Sequence, residues 1–250
     1  MRLDFAGVFA DALALWRKES DLLVRIAGVF FFLPAYAFRL FVPVPQPAPE
    51  AGEATAEAAF AQMVQWFTAN AHWLLAERLV ELFGGAVLFA LLLAERRPTA
   101  GEAMAAALRR LPVYVLVYAA AMALIAAGWM IFILPGLYLL GRTFLTGAVV
   151  MAEPGRGPGD ALLRAFRLTQ GNGWLLLLAT MVIFSVGYFG AVLIGELYLG
   201  LGLEGFVGDA VRALLDALGA TIAAAVALAM VLVQTAAYRR LSESRPKHGI

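Results

Sequence analysis

Six long apolar stretches, separated by shorter charged ones, set the pattern of this chain. They run over 22–42, 74–94, 113–134, 137–152, 174–194 and 220–238. Most of them match the roughly 20 residues that carry a helix across hydrocarbon. The first is interrupted by Arg25, Pro34 and Arg39, and the second carries Glu77, Arg78 and Glu81 in its first turns. The third is free of charge, the fourth is short and carries Arg142, and the sixth is rich in alanine and valine. Membrane barrels show short alternating segments instead of long runs. The pattern therefore predicts an all-α integral membrane bundle of six transmembrane helices, since a helix satisfies its own backbone in lipid.

The charged connections predict its orientation. Arg2, Arg17 and Lys18 precede the first span, and Arg96, Arg97, Arg109 and Arg110 join the second to the third. Arg156, Arg164 and Arg167 join the fourth to the fifth, and Arg239, Arg240, Arg245 and Lys247 follow the sixth. The opposite connections, 43–73 and 196–219, hold Arg212 alone. Basic connections stay on the cytoplasmic side. Both termini are thus expected in the cytoplasm of a bacterial inner membrane. The chain is expected to form one domain over 1–250, with a cytoplasmic amphipathic segment at 1–20, an outer Pro/Ala/Glu-rich loop at 43–73 and a cytoplasmic tail at 239–250.

Three segments share a grammar of an acid, an alanine, an apolar stripe and an arginine. They are Asp11-Ala-Leu-Ala-Leu-Trp-Arg, Glu102-Ala-Met-Ala-Ala-Ala-Leu-Arg and Asp160-Ala-Leu-Leu-Arg-Ala-Phe-Arg. Acids at the start and arginines at the end suit the helix dipole. Apolar spacing of three to four with basic flanks suits a helix lying in the headgroup layer. Three repeats of one interfacial helix plus a hairpin of spans would follow. A further amphipathic segment, 206–218, and a short surface helix at 61–73 are expected on the outer side. The Pro-rich run that begins at Pro43 reads as extended chain.

Composition narrows the classes. Of the 250 residues 62% are hydrophobic and 15% charged, with a mean hydropathy of +0.82. Soluble domains carry roughly 45–50% apolar and about 25% charged residues. A net charge of +1 offers no basic face for nucleic acid. There is no cysteine, and the two histidines, His72 and His248, stand far apart. No metal site, cofactor or catalytic set is expected. Asp4 and Asp11 interrupt any cleavable signal sequence, so the first spans are expected to direct insertion.

Ionisable groups inside a bilayer cost about 2.5–3.5 kcal/mol each at mid-depth and mark the places to look. Counting along the helices puts Arg39, Glu77, Arg78, Glu81, Arg142 and Glu196 at one outer-leaflet depth. That predicts a polar, outward-open cavity in which Arg142 and Arg39 recognise an anionic head group, because guanidinium pairs with phosphate or carboxylate. Snorkelling ion pairs at helix ends are the competing reading. On the cytoplasmic side Arg109, Arg110, Arg164 and Arg167 are candidate contacts to anionic lipids.

The run Leu134-Pro-Gly-Leu-Tyr-Leu-Leu-Gly-Arg142, then Val149-Val-Met-Ala-Glu153, then Asp160-Ala-Leu-Leu-Arg-Ala-Phe-Arg-Leu-Thr-Gln-Gly-Asn-Gly-Trp174 resembles a known membrane domain. It is found at the N-terminus of some bacterial glycerophosphoryl diester phosphodiesterases and in stand-alone multi-pass inner-membrane proteins. The resemblance covers 111–194 and extends elsewhere by hydropathy. It implies a fold and a membrane address. It does not imply phosphodiesterase chemistry, which in the fused proteins resides in a separate soluble barrel with a catalytic histidine and metal-binding acids. The expected function is a non-enzymatic envelope module that interacts with lipids, with another membrane protein or with further copies of itself. A small transporter or flippase-like protein working through Arg142 is the alternative, and a lipid-modifying membrane enzyme is a third reading.

Overall fold

The computed structural model describes residues 3–42, 56–94, 96, 98–201 and 205–243. All regular structure among them is helical: α1 (Phe5–Ala27), a π-helical turn (Gly28–Phe32), α2 (Leu33–Phe41), α3 (Ala56–Leu93), α4 (Ala100–Ile131), α5 (Ile133–Thr143), α6 (Thr146–Ala152), α7 (Pro158–Leu168), α8 (Gly173–Gly200) and α9 (Gly205–Glu243). The Pro-rich run after Val42, Arg2, Arg97 and the residues after Glu243 lie outside the described residues.

Local chemistry sets the boundaries. The Asp4 carboxylate accepts from the Gly7 N–H at 2.9 Å and starts α1. A kink at Glu19 separates the amphipathic part of α1 from its apolar part. Pro34 has no N–H for the carbonyl four residues back and crowds it. Just before it the helix widens, with the Leu33 N–H reaching the Gly28 carbonyl. A reciprocal capping box between Thr99 and Glu102 opens α4. Pro158 sits at the first turn of α7, with Asp160 beside it.

Five helical stretches are long and apolar enough to cross a membrane: Phe5–Phe41, Ala100–Ile131, Ile133–Ala152, Gly173–Tyr198 and Val207–Glu243. The chain thus has the build of a multi-pass membrane protein. α3 is not among them, for its apolar half still contains Glu77, Arg78 and Glu81.

Helix α3 packs on α4, α4 on α5, α5 on α8, α8 on α9, and α9 back on α3. α1 and α2 lie against α9 and α3. α6 sits inside this ring against α3, α4 and α9, with Ala148, Val149 and Val150 fully buried. Small residues permit the close approaches. Gly187 faces Val226 and Gly190 faces Ile222 across the α8–α9 contact, whereas Gly195 has open space beside it.

Four local expectations change. The surface helix expected at 61–73 is no separate element, because α3 runs unbroken from Ala56. The segment 206–218 likewise continues into α9. The fourth apolar stretch is broken at Phe144 and Leu145 and starts at Ile133. The three amphipathic segments join their apolar helices differently: through a kink at Glu19, without a break through Pro112, and through a turn at 169–172. The acids that looked equivalent also differ, since Asp11 lies inside α1 and pairs with Arg240.

Candidate functional site

A partly open cavity of about 230 Å³ lies between the helices of the ring. Leu82 and Phe89 of α3, Val117 and Ala121 of α4, Leu140 and Phe144 near the break, Phe184 of α8 and Val231 of α9 make its walls apolar. Arg78 and Glu81 stand at its α3 side and form an ion pair at 2.6 Å. The pair follows from helical spacing, three residues apart on one face. Tyr114, Tyr118 and Gln234 also line the cavity and make no hydrogen bond to another described residue. The hydroxyls of Thr143, Thr146 and Thr180 turn back to carbonyls of their own helical turns. The cavity is therefore apolar along most of its wall, with one charged pair and three free polar side chains.

The predicted outer cluster is only partly assembled. Glu77 lies within electrostatic reach of Arg39, Arg78 and Glu81. The Arg39 guanidinium packs over Gly219 of α9. Glu196 is exposed near the end of α8. Tyr198 joins this region by donating to Asp216 at 2.6 Å.

Arg142 is elsewhere, which corrects its expected place in an outer cavity with Arg39. Its Nη2 donates at 2.7 Å to the carbonyl of Phe166 in the last turn of α7, and its Cδ packs beside Gly173 at the start of α8. The rings of Tyr138 and Phe166 flank the guanidinium at 5.7 and 5.3 Å. Depth counting assumed one straight fourth span. In the structure α5 ends one residue after Arg142, and that end meets α7, whose last carbonyls need a donor. Arg142 thus caps α7, while its Nε is buried without a partner.

The basic segments meet at one end of the molecule. Glu153 accepts from Arg164 Nε at 3.0 Å, from Tyr238 Oη at 3.0 Å and from Arg156. Arg240 pairs with Asp11, Arg239 donates to the Leu92 carbonyl, and the Leu3 N–H donates to Asn172 Oδ1 at 2.8 Å. Thr169 is fully buried and donates to the carbonyls of Arg142 and Ala165. Of the candidate lipid contacts, Arg109 and Arg167 are exposed and Arg110 is half-buried. Arg164 pairs with Glu153 and keeps 27% of its side chain exposed.

Burial pushes the Glu153 carboxyl up, but the hydrogen bonds from Arg164 and Arg156 outweigh it and hold the group below its ordinary 4.5. A depressed pKa contributes stability above the unfolded value and loses it as pH falls through the folded one. The unfolding temperature of the parent should therefore fall as pH drops below 4.5, and Glu153→Gln should show a flatter profile over the same window.

Gln234, Tyr114 and Tyr118 were not singled out by the sequence reading. An amide in the uncharged stretch 220–238 was the available signal for Gln234. No group of three or more metal-ligating side chains occurs among the described residues. No family model, curated protein or solved structure matches the chain.

Proposed function

We propose that this chain is a non-enzymatic protein of the bacterial inner membrane that holds an amphipathic lipid in the cavity between its spans. Six apolar segments thread the bilayer in order and both termini are cytoplasmic. The observation that carries this reading is the lining: apolar walls suit an acyl chain, and the Arg78–Glu81 pair suits a polar head. The gathering of Arg156, Arg164, Arg239 and Arg240 at one end supports the orientation, because such a face prefers the cytoplasmic leaflet. Exposed Arg109 and Arg167 add contacts to anionic head groups. The resemblance to the phosphodiesterase membrane domain belongs to the same proposal.

The test is lipid content. Native mass spectrometry of the purified protein should find a lipid retained at about one copy. Ala227→Trp, which fills the cavity wall, should lower occupancy about tenfold, an effect worth ~1.4 kcal/mol. Equal occupancy in parent and variant, with both folded, would remove the cavity as the binding site.

A further inference from the structure

The polar groups of the cavity follow one another along α3. Arg78, Glu81, Gly85 and Phe89 line it from that helix, at spacings of three and four that keep one face toward it. The Arg78–Glu81 contact joins a single N–H, on Nη1, to a single oxygen, Oε2. The other Arg78 nitrogens and Glu81 Oε1 bond to no other described residue. Four residues further along α3, about 6 Å, the Tyr114 hydroxyl sits beside Gly85 and Gly147. A Cβ at 147 would come within 2.7 Å of its oxygen, so glycine keeps that place open. Tyr114 is 8% exposed and within electrostatic reach of Glu81, yet its hydroxyl bonds to no other described residue. Burying a hydroxyl without a partner is costly, which favours a ligand that supplies an acceptor there.

We propose that the cavity takes the head of a zwitterionic phospholipid with a primary ammonium group, and that Arg78, Glu81 and Tyr114 select it. This rests on the lipid-binding reading above and adds the class of head group. Arg78 and the Tyr114 hydroxyl are donors and take oxygens of the phosphodiester, while Glu81 is an acceptor and takes the ammonium. An anionic head satisfies Arg78 but sets a further negative charge beside Glu81 and Glu77. A quaternary ammonium has no N–H for Glu81. A head with both signs leaves neither member of the pair uncompensated.

The size of the cavity sets how much of the molecule it holds. At about 230 Å³ it is smaller than the roughly 300–1,000 Å³ of a pocket that encloses a whole ligand. It therefore takes the head and the first carbons of the chains. Met122 of α4 and Phe184 of α8 line it and are also exposed, by 39% and 53%, so the chains leave past apolar side chains. A soluble zwitterion would leave those walls uncovered.

A competition tests this. The purified protein, stripped of lipid, is given equal amounts of phosphatidylethanolamine, phosphatidylglycerol and phosphatidylcholine with identical chains, and bound lipid is read by native mass spectrometry. The parent should retain the ethanolamine lipid about tenfold over either of the others. Glu81→Gln, an isosteric change, should bring the ethanolamine and glycerol lipids level. Tyr114→Phe should lower retention of the ethanolamine lipid about fivefold. Equal retention of the three lipids by the parent, a preference that survives Glu81→Gln, or unchanged retention in Tyr114→Phe would overturn the proposal. Displacement by glycerophosphoethanolamine, which has the head and no chains, would assign the site to a soluble zwitterion and overturn it as well. Ala227→Trp separates these outcomes from failure of the lipid-binding reading, because undiminished lipid in that variant removes the cavity for every head group.

Discussion

Gly141→Ala should be the most damaging single methyl in this protein. A Cβ at position 141 overlaps the carbonyl oxygen of Gly173 and lies 3.0 Å from its carbon. Both are backbone atoms of another helix, so no rotamer change relieves the overlap and α5 must move away from α8. The cost should be about 3 kcal/mol or more, seen as a large drop in unfolding temperature or as failure to purify. Arg142 would move with α5, uncapping α7. Gly195→Ala is the control. It has no atom within 4 Å of the added methyl and sits inside α8, so it should be neutral or add up to ~1 kcal/mol through helix propensity. Equal tolerance at both positions would refute the close α5–α8 contact.

Glu153→Ala should rank second. The side chain is 17% exposed and its partner Arg164 27%, and Tyr238 donates to the same carboxylate. Removing it leaves a guanidinium and a phenol without an acceptor inside a half-buried site. That loss should reach on the order of 2–3 kcal/mol, below the range for fully buried pairs because some water remains. Arg156→Ala is expected to cost less than about 1 kcal/mol, since Arg156 is 43% exposed. A double-mutant cycle between Glu153 and Arg164, read by thermal unfolding in detergent, should return a coupling near 1 kcal/mol or more. A coupling near zero would mean that the three helix ends are not joined through this carboxylate.

Hydrophobic periodicity marked most helices, because a long uncharged run has few ways to satisfy its backbone in lipid. It misjudged their ends. Residues 61–73 and 206–218 looked like separate pieces, yet nothing in them breaks a helix, and each simply prolongs α3 or α9. The amphipathic segment at Glu102 and the span from 113 looked like two pieces, and α4 runs unbroken through both. The polar cluster was legible where it was local: Arg78 and Glu81 meet through spacing alone.

Arg142 could not be placed that way. Its position depends on where the fourth span breaks and on which carbonyl then lacks a donor, and both arise from the packing of α5 against α7 and α8. The cavity residues Tyr114 and Gln234 stand more than a hundred positions apart, so no window along the chain unites them. By itself the sequence determined helical structure, an apolar exterior and the clustering of arginines in alternate connections, all of which depend on residue type within a few turns. Tertiary structure alone decided the buried α6, the Glu153 junction and the cavity between the helices, because those depend on which distant surfaces approach one another closely.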